Sequence, residues 1–117
     1  MKKATVLVLT SIGLIAGCSQ PKTEQAALAQ QSEFINFTVQ ECKRYLGGID
    51  GIGRYKEAAR TLKNEAISKG ATESDFSSAY NKIALGWSVS VGMADKDMTC
   101  SNFVDDSYEL VASTEKG

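Results

Sequence analysis

Three cysteines and the absence of histidine define the chemistry open to this chain. The 117-residue sequence contains Cys18, Cys42 and Cys100 but no histidine. Without an imidazole, Ser-His-Asp and Cys-His catalysis and histidine-ligated zinc sites are excluded. Cys42 and Cys100 alone are too few for a four-ligand structural zinc site. The composition therefore favours a binding protein that is not an enzyme, with no metal and no small-molecule substrate.

The first cysteine ends a short apolar segment. Lys2 and Lys3 precede an apolar stretch over residues 4–16, which closes in Ile15-Ala16-Gly17-Cys18. At ~1.5 Å per residue, a helix of that length reaches only ~20 Å, too short to span ~30 Å of hydrocarbon. This pattern resembles the lipobox of bacterial lipoproteins. The alternative is an ordinary secretory signal peptide, with Cys18 left as a thiol or in a disulfide.

The lipoprotein resemblance implies cleavage before Cys18 and a covalent lipid on its sulfur, with no other cofactor. Residues 1–17 would then be the signal peptide, 18–31 the lipidated cysteine and a flexible polar tether, and 32–117 the domain. The tether can end as the first turns of a helix. In this family Ser19, rather than an aspartate, implies sorting to the outer membrane. The resemblance therefore predicts a lipid-anchored protein that faces the periplasm.

Cys42 and Cys100 remain once Cys18 is lipidated. An even number of cysteines in an oxidising compartment favours a disulfide. A Cys42–Cys100 bridge would close a loop of ~58 residues. By reducing the entropy of the unfolded chain, it would stabilise the fold by about 4 kcal/mol. The alternatives are two buried thiols, or a Cys100 made reactive by the N-terminus of a helix.

The charge balance is mildly acidic and excludes one class of partner. The chain carries 13 Lys and Arg against 14 Asp and Glu, and two of the basic residues are Lys2 and Lys3. Nucleic-acid binding would require a basic patch or stripe. Nucleic acid is therefore not an expected partner. The lipoprotein resemblance instead implies the membrane as a partner, through the lipid, and another envelope protein is the expected protein partner.

Apolar residues recur at spacings of three and four along most of the sequence, which predicts an all-α, four-helix domain. The helices are predicted at about 32–46, 54–69, from a Thr72 cap to about 91, and from a Thr99 cap to about 113. Ser32 is the predicted N-cap of the first helix. Residues 87–91 also alternate like a strand, although the helix is preferred. The glycine-rich residues 47–53 are predicted to be a flexible connector, because neither a phosphate-loop nor a dinucleotide-binding pattern is present.

Two acidic groupings invite a chemical interpretation. Asp95, Asp97, Thr99 and Asp106 have part of the spacing of a calcium-binding loop, but Cys100 occupies the position of the obligatory glycine. The carboxylates at 105, 106 and 109 could pair for acid-base chemistry. Helix capping and a solvated helix face are the preferred interpretations, so no metal is expected.

Aromatic residues supply the candidate partner-binding site. Phe34 and Phe37 lie three apart beside the main apolar stripe of the first helix, and Tyr45 follows near its end. They are either ordinary core residues or the lining of a groove that receives an amphipathic helix or peptide from a partner.

The arrangement of the domain resembles the helical pilotins of type II secretion. The resemblance covers about residues 33–113 and depends on Cys42 late in the first helix, Tyr80 in the third, and Thr99-Cys100-Ser101-Asn102-Phe103 opening the fourth. It implies a lipoprotein that binds a C-terminal segment of a secretin and escorts it to the outer membrane. The alternatives are a periplasmic stress-related or chaperone-type binding module and an exclusion lipoprotein of a mobile element.

Overall fold

Four α-helices make up almost all of the chain that the computed structural model describes, residues 23–116. They are α1 (Glu24–Cys42), α2 (Gly48–Ser68), α3 (Glu73–Met93) and α4 (Lys96–Lys116), with a 3₁₀ turn at Lys43–Tyr45. The predicted all-α, four-helix fold is confirmed, and residues 87–91 are helical. The proposed lipobox, including Cys18, lies outside the described residues. None of the four helices is long and apolar enough to cross a membrane.

The first helix is the central element of the domain. Each of the other three helices makes its most extensive helix–helix contact with α1. Every residue from 27 to 32 is buried, and Leu28, Phe34 and Ile35 have no exposed surface at all. A helix buried on so many sides cannot show the single apolar stripe typical of a surface helix.

The start of α1 differs from the prediction. The helix begins at Glu24, where the Thr23 hydroxyl accepts a hydrogen bond from the Ala26 amide at 3.2 Å. The segment predicted as a tether, 18–31, therefore ends in helical turns, as the sequence allowed, and residues 24–31 are part of α1. Ser32 is not an N-cap: its hydroxyl is buried and donates to the carbonyl of Ala59 on α2 at 2.9 Å.

The second helix packs antiparallel to α1 through small residues. Its buried positions form one narrow stripe along the helix, made up of Tyr55, Ala58, Ala59, Leu62 and Ala66. At the other end of the helix pair, Lys69 Nζ lies 3.4 Å from the Glu24 carboxylate. Alanines on the contact face allow the two helix backbones to approach closely.

The glycine-rich segment is not a flexible connector throughout. Only Gly47 and Gly48 have the positive φ that a left-handed turn requires, at 86° and 85°. The helix begins at Gly48, so most of the segment forms the first turns of α2. A side chain at Gly51 would run into the carbonyl oxygen of Leu46, whereas Gly53 faces open space.

The last two helices are joined by a polar corner. Thr72 is the N-cap of α3, as predicted, and it forms a capping box with Asp75. The α4 helix begins at Lys96, and the predicted Thr99 cap is wrong. The Asp95 carboxylate caps the helix instead, by accepting a hydrogen bond from the Met98 amide at 2.7 Å. Thr99 is instead buried, and its hydroxyl donates to the Asp95 carbonyl at 2.7 Å.

A disulfide joins the end of α1 to the start of α4. Cys42 and Cys100 are bonded, with their Cα atoms 5.5 Å apart, and both are fully buried. The predicted bridge is confirmed, and a pair of free thiols and a reactive Cys100 are both excluded. Farther along α4, the Arg54 guanidinium contacts both carboxylate oxygens of Glu115 at 2.6 and 2.7 Å, which links α2 to the end of α4.

Two glycines within α2, Gly51 and Gly53, provide a matched test of this packing. We expect Gly51→Ala to destabilise the fold by about 1–3 kcal/mol, since the new methyl group overpacks against the Leu46 carbonyl. Gly53→Ala should instead stabilise it by about 0.4–1 kcal/mol, because alanine restricts the unfolded chain and favours helix. Urea unfolding of both variants measures the difference. Equal stability of the two variants would contradict the close approach at Gly51.

Candidate functional site

The two phenylalanines predicted as candidate partner contacts belong to the core. Phe34 is 0% exposed and Phe37 is 4% exposed. The Phe34 ring lies 4.9 Å from that of Phe103, and the Phe37 ring lies 5.6 Å from Trp87 and 5.7 Å from Tyr80. The prediction that Phe34 and Phe37 line an open groove is therefore wrong, and the alternative interpretation as core residues is right.

Tyr45 occupies a different place, in the 3₁₀ turn after α1. Its side chain is half-buried, and its hydroxyl donates a hydrogen bond to the Asp97 carboxylate at the start of α4. This hydrogen bond is the main reason why the pKa of Tyr45 is raised. The contact links the same two helix ends that the disulfide joins, so Tyr45 has a structural partner, while its role toward a second protein stays a prediction.

The acidic groupings are accounted for by helix structure. Residues 96–106 are helical, so Asp95 and Asp106 do not end a calcium-binding loop. Asp95 caps α4, and the Asp97 carboxylate accepts a hydrogen bond from the Tyr45 hydroxyl. Burial, followed by repulsion from Glu109 and Asp105, raises the pKa of Asp106. Among residues 23–116, no group of three or more Cys, Asp or Glu side chains is placed to hold a metal ion.

The structure contains a cleft that was not predicted from the sequence, where the end of α2 and the first half of α3 meet α1. Its larger recess has a volume of about 470 Å³ and adjoins a second recess of about 290 Å³. We call the two together the α2–α3 cleft. Its lining residues are Glu33, Lys63, Ile67, Ala71, Thr72, Glu73, Phe76, Ser77, Tyr80 and Asn81.

The cleft combines an apolar surface with charges of both signs. Phe76 lines both recesses, and Ile67 keeps 51% of its surface exposed beside it. The Lys63 ammonium lies 5.9 Å from the centre of the Phe76 ring, within cation–π range. Burial raises the pKa of Glu33, and the positive charge of Lys63 partly opposes that shift. This combination suits a segment with apolar and charged side chains.

One signal in the sequence could have pointed to the cleft. Ile67 lies outside the buried stripe of α2, so an apolar residue is left on a face otherwise covered with charge. Lys63 is four residues earlier and shares that face. Phe76 and Tyr80 also follow the helical spacing of apolar residues in α3, but Tyr80 is 39% exposed and Phe76 is half-buried.

Comparison with known proteins does not assign this chain to a family. No family model, no curated protein and no solved structure matches the chain. The resemblance to helical pilotins therefore depends on the arrangement of Cys42, Tyr80 and residues 99–103 alone. Of these, Tyr80 lines the cleft and Cys42 and Cys100 form the disulfide.

The partly buried Glu33 carboxylate gives a pH-dependent prediction. Because its folded pKa lies above the ordinary value of 4.5, the stability contributed by protonated Glu33 is present below about pH 4.5 and lost as the pH rises through the folded pKa. We therefore expect Glu33→Gln to raise the free energy of unfolding at pH 7 and to leave it unchanged at pH 4. Urea unfolding at both pH values measures this.

The exposed Glu57 provides the control for that measurement. Its carboxylate pairs with Arg60 at the surface, so Glu57→Gln should show little difference between the two pH values. A Glu33→Gln variant that is less stable than the wild type at pH 7 would contradict the inferred burial of the charge.

Proposed function

We propose that this protein is an outer-membrane lipoprotein, anchored through Cys18 and facing the periplasm, that binds another envelope protein without catalysing a reaction. The Ile15-Ala16-Gly17-Cys18 sequence supports the anchor. The Cys42–Cys100 disulfide supports an oxidising compartment. The α2–α3 cleft is the observation that carries the binding role.

The short connection between anchor and domain supports a role at the membrane surface. Only residues 19–23 separate Cys18 from the start of α1 at Glu24. A chain of that length spans at most ~20 Å when fully extended. Because Lys69 pairs with Glu24, the end of α2 lies beside the start of α1. Ile67, Ala71 and Thr72 of that region line the cleft. An anchored domain would thus hold its cleft near the lipid.

The chemistry of the cleft suggests the kind of segment that it binds. An apolar side chain of the partner would cover Phe76 and Ile67, and an acidic group would approach Lys63. These features fit an amphipathic helix or a short peptide segment. The pilotin-like version of the proposal assigns this segment to the C-terminus of a secretin. A chaperone-type module would instead accept many different segments, and an exclusion lipoprotein would bind one other envelope protein.

Two exposed isoleucines allow a matched test of the cleft. Ile67 lies in the cleft and is 51% exposed, whereas Ile49 lies outside it and is 87% exposed. A photo-crosslinking amino acid in place of Ser77 should capture the partner in cells. We expect Ile67→Glu to reduce the captured partner at least tenfold and Ile49→Glu to leave it unchanged.

The identity of the captured protein separates the versions of the proposal. A secretin, lost when its C-terminal segment is deleted, would support the pilotin version. Many unrelated periplasmic proteins would support a chaperone-type module. Capture that is equally strong in both isoleucine variants would contradict the cleft as the binding site.

The anchor is tested separately. We expect Cys18→Ser to release the protein from membranes and to leave thermal unfolding of the domain unchanged, because only the acylated sulfur is lost. Ser19→Asp is the control: it should keep the protein in membranes but move it toward the inner membrane in an enteric-type host, as the lipoprotein resemblance implies. Fractionation and immunoblotting measure both. Continued membrane attachment of Cys18→Ser would refute the lipobox assignment.

A further inference from the structure

A second surface, separate from the cleft, lies on the solvent side of α3. Leu85, Val89 and Met93 recur at four-residue spacing and are 67%, 52% and 83% exposed. Ser88 and Gly92 are also exposed and lie on the same side of the helix, and a side chain at Gly92 would meet open space. We call these five residues the outer face of α3.

The outer face differs from an ordinary solvated helix surface because it has no charge. Residues 83–94 contain no Asp, Glu, Lys or Arg. The exposed side of α2, by contrast, carries Lys56, Glu57, Arg60 and Lys63. An uncharged row of large apolar side chains on a surface helix is typical of a helix that packs against another.

Large and small residues alternate on the outer face in a way that suits a second copy of the same helix. When two α3 helices run antiparallel and centre between Ser88 and Val89, Leu85 of one copy lies level with Gly92 of the other. In the same register, Val89 lies level with Ser88. Leu85 and Val89 therefore each meet a small residue, which allows close packing of the two helices.

The charges at the two ends of the outer face favour the same antiparallel arrangement. Lys82 precedes the face in the sequence. The segment Asp95-Lys96-Asp97 follows the face and carries one net negative charge. An antiparallel pair brings Lys82 near the acidic end of the second copy twice, once at each end. A parallel pair would place like charges together and would set Gly92 against Gly92. The face is therefore self-complementary in the sense that a two-fold symmetric interface requires.

We propose that two copies of this protein associate through the outer face of α3, paired antiparallel about a two-fold axis. The flanking charges also favour this occupant over a lipid surface, because interfacial helices carry an excess of basic residues beside their apolar face, whereas Lys82 and Lys96 are balanced here by Asp95 and Asp97. A contact of about three helical turns is smaller than a standard protein interface and therefore gives a weak dimer.

A site-specific crosslink tests the proposal in the full-length protein in cells. A photo-crosslinking amino acid replaces Met93, which is at the edge of the outer face and highly exposed. We expect an adduct of twice the monomer mass, with the crosslink at about residues 81–85 of the second copy. The same probe at Ile49, on another surface, should give no dimer. Leu85→Glu should reduce the adduct at least tenfold while thermal unfolding stays unchanged, because Leu85 is largely exposed.

Each other outcome would overturn the antiparallel dimer. A crosslink between the two probe-bearing segments around residue 93 would indicate parallel pairing. Adducts only with a different protein, or only with lipid, would assign the outer face to that occupant. An unreacted monomer would show that the face is uncovered. None of these results bears on the α2–α3 cleft, which is tested through Ile67.

Discussion

The disulfide between Cys42 and Cys100 is the constraint on which the arrangement of the helices depends. It joins the end of α1 to the start of α4 and so encloses α2 and α3 within one covalent loop of the chain. Closing a loop of ~58 residues reduces the entropy of the unfolded chain, which stabilises the folded state by about 4 kcal/mol. Small domains have about 5–15 kcal/mol of total stability. A large share of the stability of this domain therefore comes from one bond.

The central position of α1 explains why much of the surface of α3 stays exposed. The α3 helix packs mainly on α1 and has little contact with α4. The rings of Phe37, Trp87 and Phe103 fix this packing from the inside. Ala79 and Ile83 are the only residues of α3 that are buried. The first half of the helix thus closes the cleft with the end of α2, and the second half stays exposed along Leu85 and Met93.

The local patterns of the sequence predicted some parts of this fold and not others. Capping signals such as Thr72 with Asp75 act within one turn, so the start of α3 could be predicted. The start of α1 could not, because residues 24–32 are rich in alanine and glutamine and show no apolar stripe. Gln30, Gln31 and Ser32 are nonetheless buried, since the helix is covered on several sides. Likewise, the burial of Phe37 and the cleft at Phe76 depend on which helices cover which faces.

The two proposed surfaces do not compete for residues. The cleft uses α3 as far as Asn81, and the outer face begins at Leu85, one turn farther along the helix. The cleft is built from three helices and contains charges of both signs, which would provide specificity if it binds a segment as proposed. The outer face is uncharged along its length and is complementary to itself. A domain held within ~20 Å of a lipid surface by a short connection would meet other copies at high local concentration. Even a weak contact between identical faces would then be populated while the cleft is occupied.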